Sequence, residues 1–206
     1  MSAGACPRAI EKAMENPHVV LASASPRRKE LMEMLGVENL TILPAKGEEV
    51  PPEHASGSEL VMALALAKAR EVAAQCGAND VIIGADTIVW VDDHPFGKPH
   101  SEEEAARMLR RLSGDWHTVY TGVAVLHNGR ETSAFEESRV HFRPLDEEEI
   151  ARYIRSGEPM DKAGAYGAQG LGALFVSRIE GDFFNVMGLP LCRLGQMLKE
   201  QGVELL

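Results

Sequence analysis

The chain has 206 residues, 45% of them hydrophobic and 25% charged, which suits a globular protein with a sizeable core, as one large domain or two lobes around a cleft. Its formal charge of -10 argues against binding a nucleic-acid polymer, whose phosphate backbone is held by surplus Lys and Arg. A small polyphosphate stays open, because a local cluster of cations with a metal ion holds it whatever the overall sign.

Residues 1–17 read as a tail: Glu11 and Glu15 stand there without an apolar core, so no secretory signal is expected. Residues 18–206 read as a single domain. The cysteines Cys6, Cys76 and Cys192 show neither a disulfide framework nor metal-finger spacing, which fits a reducing compartment and makes the cytoplasm the expected location. The longest mostly apolar stretch, Leu60 to Ala67, is too short to span a bilayer, so no membrane partner is expected.

His18–Ala22 is an apolar run that predicts a buried strand. Ser25-Pro26 follows as a helix cap with proline at the first helical position, and that helix runs to Gly36 with Leu31, Met34 and Leu35 on one face. A second strand is expected within Asn39–Ala45. The capping-box spacing of Ser56 and Glu59 opens an Ala-rich helix to about Cys76. Val81–Val91 reads as strand throughout, with Asp92-Asp93-His94-Pro95 as a turn. Ser101 and Glu104 repeat the capping-box spacing for a helix ending at Gly114. A β-hairpin is predicted from His117 to Phe142, turning at Asn128-Gly129. An acid-led helix spans Asp146 to Ser156, residues 157–172 are Gly-rich and loop-like, and two short strands precede a last helix from about Pro190. Alternating strands and helices with an added hairpin predict an α/β or α+β fold on a mixed sheet.

Five segments are candidates for chemistry. Arg27-Arg28 place cations in the first turn of a helix, where the macrodipole favours negative charge, so an anion held by the helix N–H groups, by Ser23 and Ser25, and by the guanidinium forks would complete the site. A capped helix with solvated arginines fits the same spacing. Asp86 and Thr87 lie within an otherwise apolar strand, and a carboxylate there is costly unless it is paired, hydrogen-bonded or holding a metal. Gly97-Lys98-Pro99 offers a close backbone approach and a point charge for phosphate, a weak signal by itself. The loop from Asp161 to Gly170 carries an acid, Lys162 and the Gln169 amide, which is both donor and acceptor and so can read a base edge. Glu48-Glu49 offers oxygen ligands for a metal or, equally, a solvated acidic loop. No histidine has ligand spacing, and none receives a role. No Ser-His-Asp order, Walker loop or dinucleotide fingerprint is present.

Six segments in this order resemble the Maf family of nucleotide pyrophosphatases: Leu21 to Arg28, Gly84 to Thr87, Gly97 to Pro99, Leu112 to Gly114, Asp161 to Gly167 and Val186 to Pro190. The likeness runs from about Val19 to Leu194. Gly164 to Gly170 is similar to the branch acting on dTTP and UTP, although Ala168 stands where that branch often has Ile. The resemblance implies an elongated mixed β-sheet flanked by helices, in two lobes around a central cleft as in inosine triphosphatase-like folds, and a homodimer. It implies Asp86 as general base, acting on water or mainly holding the metal. Arg27, Thr87 and Gln169 would affect base choice, Lys68, Lys98 and Lys162 would line the cleft, and Glu49 with Asp86 would hold Mg²⁺ or Mn²⁺. The expected reaction converts a nucleoside triphosphate to its monophosphate and pyrophosphate. Alternatives are the same reaction on 7-methyl-GTP or another modified nucleotide, and a nucleotide-sensing regulator of cell division without turnover. Asp86, Lys98 and the two arginines favour catalysis.

Overall fold

A computed structural model describes residues 17–205, so all of the expected tail but Pro17 lies outside the described residues. Val19–Leu21 (β1) is wholly buried, and Pro26–Met34 (α1) returns the chain to Leu40–Ile42 (β2), which lies parallel to β1. Gly57–Ala73 (α2) starts on a complete capping box between Ser56 and Glu59. Val81–Val91 (β3) then runs parallel to β1 and turns through Asp92 and Asp93, both at positive φ, into the short antiparallel His94–Phe96 (β4). Glu102–Leu112 (α3) leads to the hairpin of Trp116–His127 (β5) and Arg130–Phe142 (β6), whose turn holds Asn128 and Gly129 at φ of 50° and 75°. After Glu147–Arg155 (α4) come three 3₁₀ turns between Glu158 and Leu174, then Val176–Glu180 (β7), Phe183–Met187 (α5) and Leu191–Glu200 (α6). The strands form one mixed sheet in the order β2-β1-β3-β5-β6-β7, with β4 beside β3.

The alternation of side chains along β3 divides the molecule. Val81, Ile83 and Ala85 join the core built with Leu31 and Met32 of α1 and Leu194 and Leu198 of α6. Val89 and Val91, on the same face further along, join a second core with Leu109 of α3 and Ile154 of α4. Thr87 therefore sits between two lobes that share the long strands. On the opposite face α2 covers the sheet, with Ala65 and Ala69 packed near Ile82, and Leu60, Val61 and Leu64 near Ile88. A Cβ on Gly84 would lie 2.2 Å from the Ala65 carbonyl oxygen, and one on Gly122 would lie 2.2 Å from that of Val61. Only hydrogen fits at either position, so the helix backbone rests directly on the sheet. Among the described residues no helix is long and apolar enough to cross a membrane.

Four local expectations are corrected. The buried face of α1 is Arg28, Leu31 and Met32, while Met34 is 58% exposed; an arginine occupies the position where a periodicity reading looks for an apolar residue. His94 and Pro95 are in β4, not in the turn. Ser101 caps the Glu104 N–H, but the Glu104 carboxylate accepts from His100 N–H, so the reciprocal half of that box is missing. The second short strand expected before the last helix is α5, capped by Asp182 and stopped by Gly188 at φ 107°.

Candidate active site

Along one edge, β3 pairs with β1 at residues 81–83 and with β4 at residues 89–91, while its other edge pairs with β5 from Ile82 to Trp90. Between β1 and β4 the segment Gly84–Ile88 faces a gap. That gap is a cleft of about 720 Å³ at the carboxyl end of β1, where ligands gather in open α/β sheets.

The loop after β1 and the start of α1 form one wall. Ser25 occupies the cap position but makes no side-chain cap bond; its N–H donates instead to Ser23 Oγ at 3.2 Å. Pro26 brings no N–H, but the first-turn N–H groups after it have no partner within the helix, and Ser23 and Ser25 line the cleft beside them. Arg28 is buried, and its fork donates to Gly188 O (2.7 Å), Ser23 Oγ (3.0 Å) and Thr87 Oγ1 (2.9 Å). Burial pushes its pKa down, and the nearby Asp86 charge opposes that shift. Arg27 points to the opposite lobe, with Nη1 3.6 Å from Asp161 Oδ2.

Asp86 is 8% exposed. Lys68 reaches it from α2, with Nζ 2.5 Å from Asp86 Oδ1 and 2.7 Å from Glu49 Oε1. Burial raises the Asp86 pKa above the ordinary carboxylate range; Lys68 and then Arg28 oppose this, and Glu49 reinforces it. The far wall holds Lys98, Lys162 and Gln169. Lys162 Nζ donates to the Glu158 carbonyl and to Asp161 Oδ1, both at 2.6 Å.

Eleven of the residues singled out in the sequence lie on this one cavity: Ser23, Ser25, Arg27, Arg28, Glu49, Lys68, Asp86, Thr87, Lys98, Lys162 and Gln169. The neighbouring Glu48 does not line it. Five cations (Arg27, Arg28, Lys68, Lys98, Lys162) face three carboxylates (Glu49, Asp86, Asp161), so the cleft is cationic within a chain of net charge -10. Among the described residues no three His, Cys, Asp or Glu converge as a metal cage. Glu49 and Asp86 are the carboxylates that would hold a hard cation such as Mg²⁺, which takes one or two carboxylates and completes its shell with phosphate and water; in this structure the Lys68 ammonium lies between them.

Sequence reasoning gave no individual role to three further residues of the cleft, two of which stand inside the family motifs. His100 lines it two residues beyond Lys98, and that short spacing was the available signal. Tyr166 lines it too, anchored by a 2.8 Å hydrogen bond to the buried His117. Gly188 supplies the carbonyl that orients Arg28 from 160 positions away, a link no local pattern reveals.

Fold and cleft together define a mixed α/β protein with a site for a small polyanion. The chain belongs to the Maf-like protein family, whose model matches residues 18–201. A dTTP/UTP pyrophosphatase of Bacillus cereus (strain ATCC 10987 / NRS 248) is 45% identical over 95% of this chain and 96% of that protein. A dTTP/UTP pyrophosphatase of Bacillus mycoides (strain KBAB4) is 48% identical over 88% of this chain and 94% of that protein. Among solved structures, the nucleoside-triphosphatase / dITP/XTP pyrophosphatase of Mycobacterium abscessus has a TM-score of 0.44 and 16% identity, covering 90% of this chain and 95% of that one, a likeness too loose to carry anything over.

Proposed function

We propose that the protein is a nucleotide pyrophosphatase that hydrolyses dTTP and UTP to the monophosphate and pyrophosphate. The observation that carries this reading is the buried Asp86, paired with Lys68 inside a cleft lined by cations. The family membership and the activity named for the relatives point to the same reaction and to pyrimidine substrates.

In this reading the triphosphate lies against the start of α1, with Arg28, Lys98 and Lys162 neutralising its oxygens. Asp86, buried on β3 and paired with Lys68, takes a proton from water. The water oxygen forms a bond to the α-phosphorus, the α–β anhydride bond breaks, and pyrophosphate leaves with that electron pair. Mg²⁺ or Mn²⁺ at Glu49 and Asp86 would supply further charge neutralisation on the phosphates. Gln169 would pair with the imide edge of uracil or thymine. We also take the protein to be cytoplasmic, in line with its scattered cysteines, and to be a homodimer, as the family resemblance implies.

The test is a panel of nucleoside triphosphates with Mg²⁺ or Mn²⁺, with products separated and a chelator-treated control. Pyrophosphate release is expected, strongest for UTP and dTTP. It should fall roughly 10²–10⁴-fold in a folded Asp86→Ala variant, the usual worth of a general base. Release of orthophosphate, or no turnover of any nucleotide, would overturn the reading. Full pyrimidine preference in Gln169→Ala would remove the role given to that amide.

A further inference from the structure

A line of hydrogen bonds leads from the cleft into the sheet. Arg28 Nη2 donates to Thr87 Oγ1 at 2.9 Å, and Thr87 Oγ1 lies 2.9 Å from Thr121 Oγ1 on the facing residue of β5. Thr121 Oγ1 in turn donates to the main-chain oxygen of Asn185 at 2.9 Å. Thr121 and Asn185 are fully buried, so the bond between them does not compete with water, while Thr87 is half-buried at the wall of the cleft. The Asn185 side chain is itself fixed, its amide donating to Val119 O and Ser138 Oγ.

A hydroxyl has one hydrogen. A carbonyl only accepts, so the Thr121 hydrogen is committed to Asn185. The bond between the two threonines must then use the hydrogen of Thr87. Thr87 accepts from Arg28, donates to Thr121, and keeps one lone pair and no hydrogen for a ligand. It can meet a sugar hydroxyl or a base N–H, whereas a phosphate oxygen would face it acceptor to acceptor.

We propose that Thr121, through the Asn185 carbonyl, is a positioning residue that orients the Thr87 hydroxyl and, through it, the Arg28 fork. Arg28 is thereby held on three sides by Gly188, Ser23 and Thr87, and one N–H on each terminal nitrogen remains for the ligand. Thr87 acts on ligand choice as an acceptor and as the rest for Arg28, never as a phosphate donor. The inference rests on the proposed function in that the cleft is taken to hold a triphosphate.

The test compares wild type with Thr121→Val, Thr121→Ser, Thr87→Val and the double valine variant. Affinity for inorganic tripolyphosphate is measured by calorimetry, KM and kcat are measured for UTP, and melting temperature is recorded alongside. Thr121→Val should weaken tripolyphosphate binding and raise the KM for UTP about threefold to tenfold, the worth of one neutral hydrogen bond. Thr121→Ser should restore both, and the double variant should be no worse than Thr87→Val alone, because both changes break one path. Wild-type affinity and KM in Thr121→Val would overturn the proposal, as would a serine variant as weak as the valine one or additive losses in the double variant. If wild type binds tripolyphosphate but turns over no nucleotide, the pyrophosphatase reading fails and the binding series still decides on Thr121. If it binds no tripolyphosphate, the proposal falls as well.

Discussion

Lys68 is the residue on which the site's electrostatics turn. Its ammonium touches Asp86 and Glu49, and it has only 18% of its side chain exposed, so it compensates a carboxylate that burial would otherwise drive toward the neutral acid. Lys68→Met should lower kcat/KM for UTP about 10²-fold, because Asp86 loses the charge that favours its ionised form and the phosphates lose a cation. Lys68→Arg should recover little of this, since a planar fork does not fit where one ammonium sits between two carboxylates. Steady-state kinetics on both variants check the point, and near-wild-type activity in Lys68→Met would contradict it. The sequence made Asp86 visible, because a carboxylate in an apolar strand stands out. Its partner was not visible on the same grounds: Lys68 is an ordinary lysine on a helix 18 residues away, and only the family resemblance placed it at the cleft. Arg28 was legible as a cation at a helix start, but not as a buried group bound to Gly188.

At the scale of elements, the distance between α2 and the sheet decides whether Lys68 reaches Asp86. Gly122 is the cross-strand partner of Asp86, and the α2 backbone lies against it and against Gly84. Gly122→Ala would put a methyl 2.2 Å from the Val61 carbonyl oxygen, so the helix must lift. The expected cost is about 1–3 kcal/mol of stability, the usual range for overpacking. Activity should fall further than that loss of folded protein explains, because Lys68 moves with the helix. Denaturant melts and kcat/KM on the same preparation test this, and a stable variant with wild-type activity would show that the contact does not matter. Gly84 entered the sequence reading only as the first residue of a family motif, and the reason for it lies on another element. Long periodic segments such as β3, β5, β6 and α4 were legible because their own caps, turns and alternation define them. Short ones were legible in part: β1, β2 and β7 were expected, but Phe183–Met187 is rich in aromatic and β-branched residues and imitates a strand, while its Asp182 cap and Gly188 stop are the signals that mark a helix.

Across the whole molecule, the second lobe is held to the sheet by a histidine that must stay neutral. His117 lies on β5 with 4% exposure, 2.8 Å from the Tyr166 hydroxyl and edge-on to Phe142. Burial lowers its pKa from 6.5 to about 3; Asp115 opposes the shift and His141 adds to it. Unfolding frees it to titrate at its ordinary value, so between pH 6.5 and about 3 the unfolded chain binds more protons than the folded one. Stability from this group is therefore complete above pH 6.5 and is lost as pH falls through that window, by about 1.4 kcal/mol per unit, or close to 2 kcal/mol at pH 5. The remaining titrating groups contribute as well: a chain of net charge -10 relieves its self-repulsion as carboxylates protonate, while those in ion pairs lose their partners. The comparison that isolates His117 is the difference between wild type and His117→Gln, in which those other groups cancel. His117→Gln should be less stable at pH 8, where it loses a well-packed ring and its Tyr166 bond, and its deficit should shrink by close to 2 kcal/mol by pH 5. Urea midpoints across that range measure it, and a constant difference between the two proteins would show that His117 does not titrate on unfolding. Because Tyr166 lines the cleft, the same loss at low pH should loosen the wall that carries Lys162 and Gln169 before the α2 face of the sheet gives way.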